Sequence, residues 1–237
     1  MNDEIEYQPR IVAFIDVLGF SELVGSSEAD ATARLKLAKL IDTNKLFERF
    51  FADFMDFAEA DFFSDSFVLS MREDRIIYLI REVGYLCRHL LLQGFPCRGS
   101  ICVGSLFHTQ RIIVGPALVK AYQLEKSVAI YPRVILGATA MEKWHEEFSL
   151  DSRHSHLESL VKRDRDGQHF IDIFSPFWFE FIPWHEFQPT AYGMPTNPVE
   201  FLKKASEQID TARVANAGNA KVLAKYEWLA AEIRERA

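Results

Sequence analysis

The stretch that most restricts this chain is RIVAFIDV, residues 10 to 17, followed at once by LGFSEL. β-Branched and aromatic residues fill it, so it reads as a strand buried on both faces. A single carboxylate, Asp16, closes it, and an unpaired carboxylate is costly to bury. Gly19 then allows a tight turn, and a helical pattern follows over about residues 28 to 52. A central strand, a turn holding an acid, and a covering helix is therefore the first unit of the fold.

The next segments supply the rest of a sheet. FAEADFF (57 to 63) and SFVLSM (66 to 71) read as two strands meeting at Ser64 and Asp65, a polar pair suited to a hairpin turn. A helix over about 74 to 93 carries Ile77, Leu79, Ile80, Val83, Leu86, Leu90 and Leu91 at helical spacing, and QGFP closes it. CRGSICVGSLFHT and RIIVG return as strands, and PALVKAYQLEKSV (116 to 128) opens with proline, a residue favoured at a helix start. YPRVILG is a further strand, and VKRDRDGQHFIDIF (161 to 174) is a hairpin turning at Asp166-Gly167. Two helices broken at Gly218 finish the chain. Strands and helices in this order predict an α+β fold with a largely antiparallel sheet covered by helices. Residues 1–175 are expected to form the main domain, and 176–237 a helical extension packed on it.

Composition limits the function. The 237 residues carry 34 acidic against 27 basic side chains, a formal charge of -7, so no electrostatic case exists for nucleic acid or an anionic membrane as partner. Cys87, Cys97 and Cys102 show no CxxC spacing and lie among apolar residues, as expected of reduced core thiols. His145, His154, His156 and His169 match no zinc spacing. MNDEIEYQPR has neither a basic segment nor an apolar run, and no stretch is apolar enough to span a bilayer, so a cytoplasmic protein is expected.

If the first strand and the hairpin are neighbours in one sheet, Asp16 and Asp65 come together. Paired carboxylates are suited to hard divalent cations. The backbone after Asp16, through Val17, Leu18, Gly19, Phe20 and Ser21, enters a helix, where free N–H groups and the helix dipole favour a phosphate. Taken alone, Asp16 also reads as an ordinary turn aspartate.

These residues resemble the catalytic domain of class III nucleotidyl cyclases. FIDVLGFSEL is similar to the segment holding that family's first metal aspartate, and FFSDSFVLS to the hairpin holding the second. RGSICVG and VGPALVKAYQLE are similar to the strand and helix that follow, and the resemblance covers roughly residues 10 to 175. DVLGF, FSDS, RGSI, AYQLE, YPRVIL and DRDGQHFIDIF look more specifically like the pyrimidine cyclases of bacterial Pycsar antiphage systems.

The resemblance implies a ferredoxin-like core and a reaction that converts UTP to 3′,5′-cyclic UMP and diphosphate. CTP is the near alternative, then an adenylate or guanylate cyclase, or a nucleotide-binding sensor without turnover. It implies two Mn2+ or Mg2+ ions on Asp16, Asp65 and the Val17 carbonyl. Phe14, Leu18, Gly19, Phe20, Phe50, Asp61 and Arg98 become nucleotide-binding candidates. It also implies a homodimer with active sites at the interface, a separate effector that reads the cyclic nucleotide, and phage infection as trigger.

Two positions depart from the family pattern. Val119 and Gln123 stand where an asparagine that orients the ribose and an arginine that stabilises the transition state are usual. Arg98, Lys120, Lys162, Arg163 and Arg165 are the candidates to supply the missing charge. Asp61 and Ile112 stand at the positions that hold adenine in adenylate cyclases; Asp61 could accept from uracil N3–H or the cytosine amine, which favours a pyrimidine. Phe47, Phe50, Phe51, Phe54 and Phe57 could narrow the base pocket or simply be core. Trp144, Trp178, Trp184 and Trp228 are expected to seat the C-terminal segments.

Overall fold

The computed structural model describes residues 5–54, 58–109, 112–150, 157–179 and 194–236, and of residues 49–54 and 148–150 only the backbone. Trp184, His154, His156, Phe57 and the side chains of Phe50, Phe51 and Phe54 lie outside the described residues. The chain is α+β, with helices covering a largely antiparallel sheet, as its segment order predicts.

Strand β1 (Gln8–Val17) sits inside the sheet, antiparallel to β3 (Ser66–Arg72) on one side and to β4 (Cys97–Thr109) on the other. β2 (Ala58–Phe63) pairs with β3, and the short β5 (Ile112–Val114) folds back on β4. Beyond β4 come β6 (Val134–Leu136), β8 (His169–Ile171) and β7 (Val161–Arg163), so the order is β2-β3-β1-β4-β6-β8-β7. Only β4 and β6 run parallel among the described pairings, with α4 (Pro116–Val128) carrying the chain between them.

Alternation along β1 explains how both faces are covered. Ile11, Ala13, Ile15 and Val17 enter the main core with α3 (Ile76–Leu92), whose Leu79, Ile80, Val83, Leu86 and Leu90 are all fully buried. Each such side chain stabilises the fold by about 1.5–3 kcal/mol. Val12 and Phe14 point to the opposite face, where Val68, Cys102, Leu106, Ala117 and Ala121 form a second cluster under α4. Asp16 belongs to this second face.

Two elements differ from the sequence reading. The predicted helix over 28 to 52 is α2 (Ala31–Phe54), and a separate short helix, α1 (Phe20–Ser27), precedes it. Ser26 O accepts from the Ala29 and Asp30 amides, which ends α1, and Asp30 Oδ1 accepts from Thr32 N at 2.8 Å, which starts α2. Helix α5 (Ala138–Leu150) was not anticipated; it buries Ala140 and Trp144 at a four-residue spacing.

The C-terminal helices α6 (Pro198–Ala215) and α7 (Ala220–Arg234) are each capped by an asparagine, Asn197 and Asn219. Phe201, Ala205 and Ile209 of α6 and Leu229 and Ile233 of α7 pack with Leu91 and Phe174. Arg88 is buried there too, its guanidinium 3.7 Å from the Phe201 ring centre and donating to Ile173 O at 2.6 Å. Trp178 lies on Gly84 of α3, and Trp228 stacks on Tyr131 at 5.8 Å. The three cysteines are free and buried. No described helix is long and apolar enough to cross a membrane.

Candidate active site

The end of β1 is tied on both sides. Val17 N donates to Asp65 O at 3.0 Å, and Leu18 N donates to Pro96 O at 2.9 Å. The first bond brings the hairpin tip to Asp16, and Ser64 makes the turn with a left-handed φ of 58°. Asp16 also lies opposite Ser66 on β3 and Arg98 on β4. The two aspartates therefore face one cleft of about 660 Å³, a volume suited to a small-molecule ligand.

Gly19, at φ 82°, leads into α1 with no side chain capping the helix. The first N–H groups of α1 thus keep no side-chain acceptor, and Gly19, Phe20 and Ser21 line the cleft beside Asp16 and Asp65. Uncapped helix donors next to paired carboxylates form a surface that takes an anion only with compensating cations.

Burial raises the Asp16 pKa above the usual carboxylate range, the Asp65 charge adds to the rise, and Arg98 opposes it. Arg98 Nε lies 3.5 Å from Asp16 Oδ2 and 2.6 Å from Glu125 Oε1. The shorter contact is out of line for a hydrogen bond, and both of its atoms are buried without an aligned partner. Glu125 is likewise raised, first by burial, with Arg98 pulling it down. The group is a compact set of partly buried charges with unused hydrogen-bonding capacity.

The donor set suits a hard divalent cation. Asp16 and Asp65 offer oxygen ligands only, and a cation between them would offset both the burial of Asp16 and the repulsion between the two carboxylates. No group of three or more Asp, Glu, His or Cys side chains arranged for a metal occurs among the described residues. Two side-chain carboxylates would thus need further oxygens from backbone, water or substrate.

Of the residues singled out from sequence, Asp16, Val17, Leu18, Gly19, Phe20, Asp65 and Arg98 share the cleft. Phe14 does not; it meets Tyr122 edge-on at 5.5 Å beneath α4. Asp61 lies on the same sheet face but its Oδ2 accepts from His108 Nε2 at 2.8 Å. His108 Nδ1 in turn faces Ser70 Oγ at 2.7 Å, and Ser70 Oγ accepts from Arg10 Nε at 2.9 Å. Because the Asp61 carboxylate accepts, His108 donates Nε2–H to it, and with the ring held neutral Nδ1 accepts from Ser70 Oγ, which accepts in turn from Arg10.

The basic candidates other than Arg98 are elsewhere. Lys120 is exposed on α4. Lys162 contacts Glu232 at 3.2 Å and Glu235 at 2.6 Å, and Arg165 reaches Glu235 at 3.5 Å, so carboxylates in and just after α7 occupy both. Val119 and Gln123 are exposed on α4 and do not line the cleft. Phe47 is plain core, 6.0 Å from the His89 ring.

Sequence reasoning missed Lys36 of α2, Glu125 of α4, and the C-terminal wall of the cleft, made by Asn216, Val222, Lys225 and Tyr226. Lys225 sits three and four residues before the seated Trp228 and Leu229, a spacing that turns it inward; that was the available signal.

No protein-family model matches the chain, and no curated protein matches it by sequence. The structure is similar to two solved structures of a bacterial light-regulated adenylyl cyclase. Identity is 17% with a TM-score of 0.44 for one, and 16% with 0.45 for the other. Each alignment covers 60% of this chain and 47% of the cyclase, so the chain spans about half the length of those proteins.

Proposed function

We propose that this chain is a nucleotide cyclase domain that converts a ribonucleoside triphosphate to its 3′,5′-cyclic monophosphate and diphosphate. The observation that carries the reading is the placement of Asp16 and Asp65 in one cleft beside the uncapped start of α1. In the reaction the ribose 3′-oxygen bonds to the α-phosphorus. The bond from that phosphorus to diphosphate breaks, and the 3′-hydroxyl proton passes to solvent.

Asp16, Asp65 and the Val17 carbonyl would hold two Mn2+ or Mg2+ ions. Such ions lower the 3′-hydroxyl pKa and offset phosphate charge, so no dedicated side-chain base is required. The first amides of α1 would orient the phosphates. Arg98, held between Asp16 and Glu125, is placed to answer charge that develops at the α-phosphate.

The base reading rests on Asp61. Its Oδ2 is occupied by His108, which fixes the carboxylate as an acceptor and leaves Oδ1 for a donor. Uracil N3–H and the cytosine amine both fit that acceptor, so Asp61 supports a pyrimidine, and UTP with CTP as the alternative follows from the resemblance drawn from the sequence. Adenine is disfavoured because Asp61 stands where adenylate cyclases carry a lysine that donates to a ring nitrogen, and that nitrogen would be left without a donor.

A homodimer with active sites at its interface is part of the proposal. Val119 and Tyr122 on α4 and Ile112 on β5 are apolar or aromatic and 53%, 45% and 59% exposed, as a partner-facing surface would be. On the resemblance drawn from the sequence, residues 1–175 form the catalytic domain and 176–237 its extension. The cyclic nucleotide would act in the cytoplasm on a separate effector during antiphage defence.

A second reading is a nucleotide sensor without turnover, favoured by Val119 and Gln123. Incubating the protein with each of four ribonucleoside triphosphates and manganese, with chromatography of the products, separates the two. A cyclic pyrimidine is expected from wild type and a fall below about 1% of that rate from Asp16→Asn and Asp65→Asn. Bound but unconverted triphosphate would favour the sensor.

A further inference from the structure

We propose that Lys225, carried by the C-terminal helix α7, is a phosphate-binding cation of the cleft, so that the C-terminal extension is part of the nucleotide site. The inference deepens the nucleotide reading above and rests on it. Lys225 lines the same cleft as Asp16, Asp65 and Arg98 and is half-buried. The charges of Asp16, Glu125 and Arg98 all reach its ammonium group, which locates it at the mixed-charge centre of the cleft.

Its situation differs from that of two other partly buried cations packed against the end of α7. Lys162 is neutralised by Glu232 and Glu235, and Arg236 by Asp172 at 2.5 Å. Lys225 has no salt bridge within 4 Å among the described residues. A half-buried ammonium without a carboxylate partner is held at a cost unless an anion joins it. Across the cleft stand the uncapped first amides of α1, also without an acceptor from a side chain. A polyphosphate lying between them would satisfy both walls.

The helix that presents Lys225 is fixed in place. One turn on, Trp228 stacks on Tyr131 with ring planes 15° apart and donates Nε1–H to Asp164 Oδ2 at 3.1 Å. Leu229 is buried on the same side. The base of the Lys225 side chain therefore has a set position, and only the side chain itself is ordered on binding.

Titration calorimetry with inorganic tripolyphosphate and Mg2+ tests this on the full chain. The set is wild type, Lys225→Met, Lys225→Arg, and Lys203→Met as an exposed control on α6. Loss of a charge-assisted contact should weaken Lys225→Met about 10- to 100-fold. Lys225→Arg should keep most of the affinity, and Lys203→Met should stay within about two-fold, as expected for an exposed charge. Thermal melts matching wild type identify variants that are folded. Unchanged affinity in folded Lys225→Met overturns the assignment and leaves the cyclase reading standing. Tripolyphosphate binding that needs Lys225, with no cyclic product from any triphosphate, supports the assignment and overturns the cyclase reading. Wild type that binds neither tripolyphosphate nor a nucleoside triphosphate overturns both.

Discussion

Asp61 and His108 define each other at the residue scale. Burial lowers the His108 pKa, and the Asp61 hydrogen bond and the Asp61 and Glu59 charges oppose that fall while Arg10 adds to it. A histidine depressed in the folded state stabilises the fold fully above its unfolded value of about 6.5 and loses that contribution as pH falls toward the folded value. The stability of wild type relative to His108→Gln should therefore decline between pH 7.5 and 5.5. Paired thermal melts across that range check it, since buried His89 titrates alike in both proteins. A constant difference in Tm would mean His108 is not held neutral. His108 was invisible as a site residue because nothing in FHT marks it. Only the antiparallel pairing of β2 with β3, β3 with β1 and β1 with β4 carries it to Asp61, forty-seven residues away in the chain.

At the scale of elements, α3 depends on a notch. A Cβ on Gly84 would lie 2.1 Å from a Trp178 ring carbon, and that ring is fixed by Nε1–H donation to Asp172 O at 2.7 Å. Alanine at a helix interior gains about 1 kcal/mol over glycine by propensity. Overpacking against a held ring costs about 1–3 kcal/mol, so Gly84→Ala should lower stability in net. Urea unfolding with an unchanged slope measures it, and a higher midpoint than wild type would contradict the packing argument. Elements were legible where the chain punctuates itself. Proline opens α4, and Gly167 at φ 85° turns the β7–β8 hairpin. The bounds of α1 were not read because its eight residues are too few to show a helical period and SSEAD carries neither glycine nor proline. The aspartates were readable because a strand end and a two-residue turn are local features. Lys225 and Glu125 were not, since their meaning lies in how α7 and α4 dock.

The whole molecule divides its proposed work between two surfaces. Asp16, Asp65, Arg98 and Lys225 meet within one protomer, at the cleft between β1, α1 and α7. Asp61, Val119 and Tyr122 lie on the face of the sheet that α4 borders and stay outside that cleft. If base recognition is completed across a dimer, phosphate binding and turnover should separate on breaking it. Val119 is 53% exposed, so Val119→Asp adds a charge at little cost to the isolated fold. Desolvating that charge at an apolar interface would cost several kcal/mol. Sedimentation should find wild type dimeric and Val119→Asp monomeric, with tripolyphosphate affinity within about three-fold and cyclic product reduced at least about 100-fold. A monomeric wild type that still makes product would place the complete site in one chain. A dimeric Val119→Asp would move the interface away from α4.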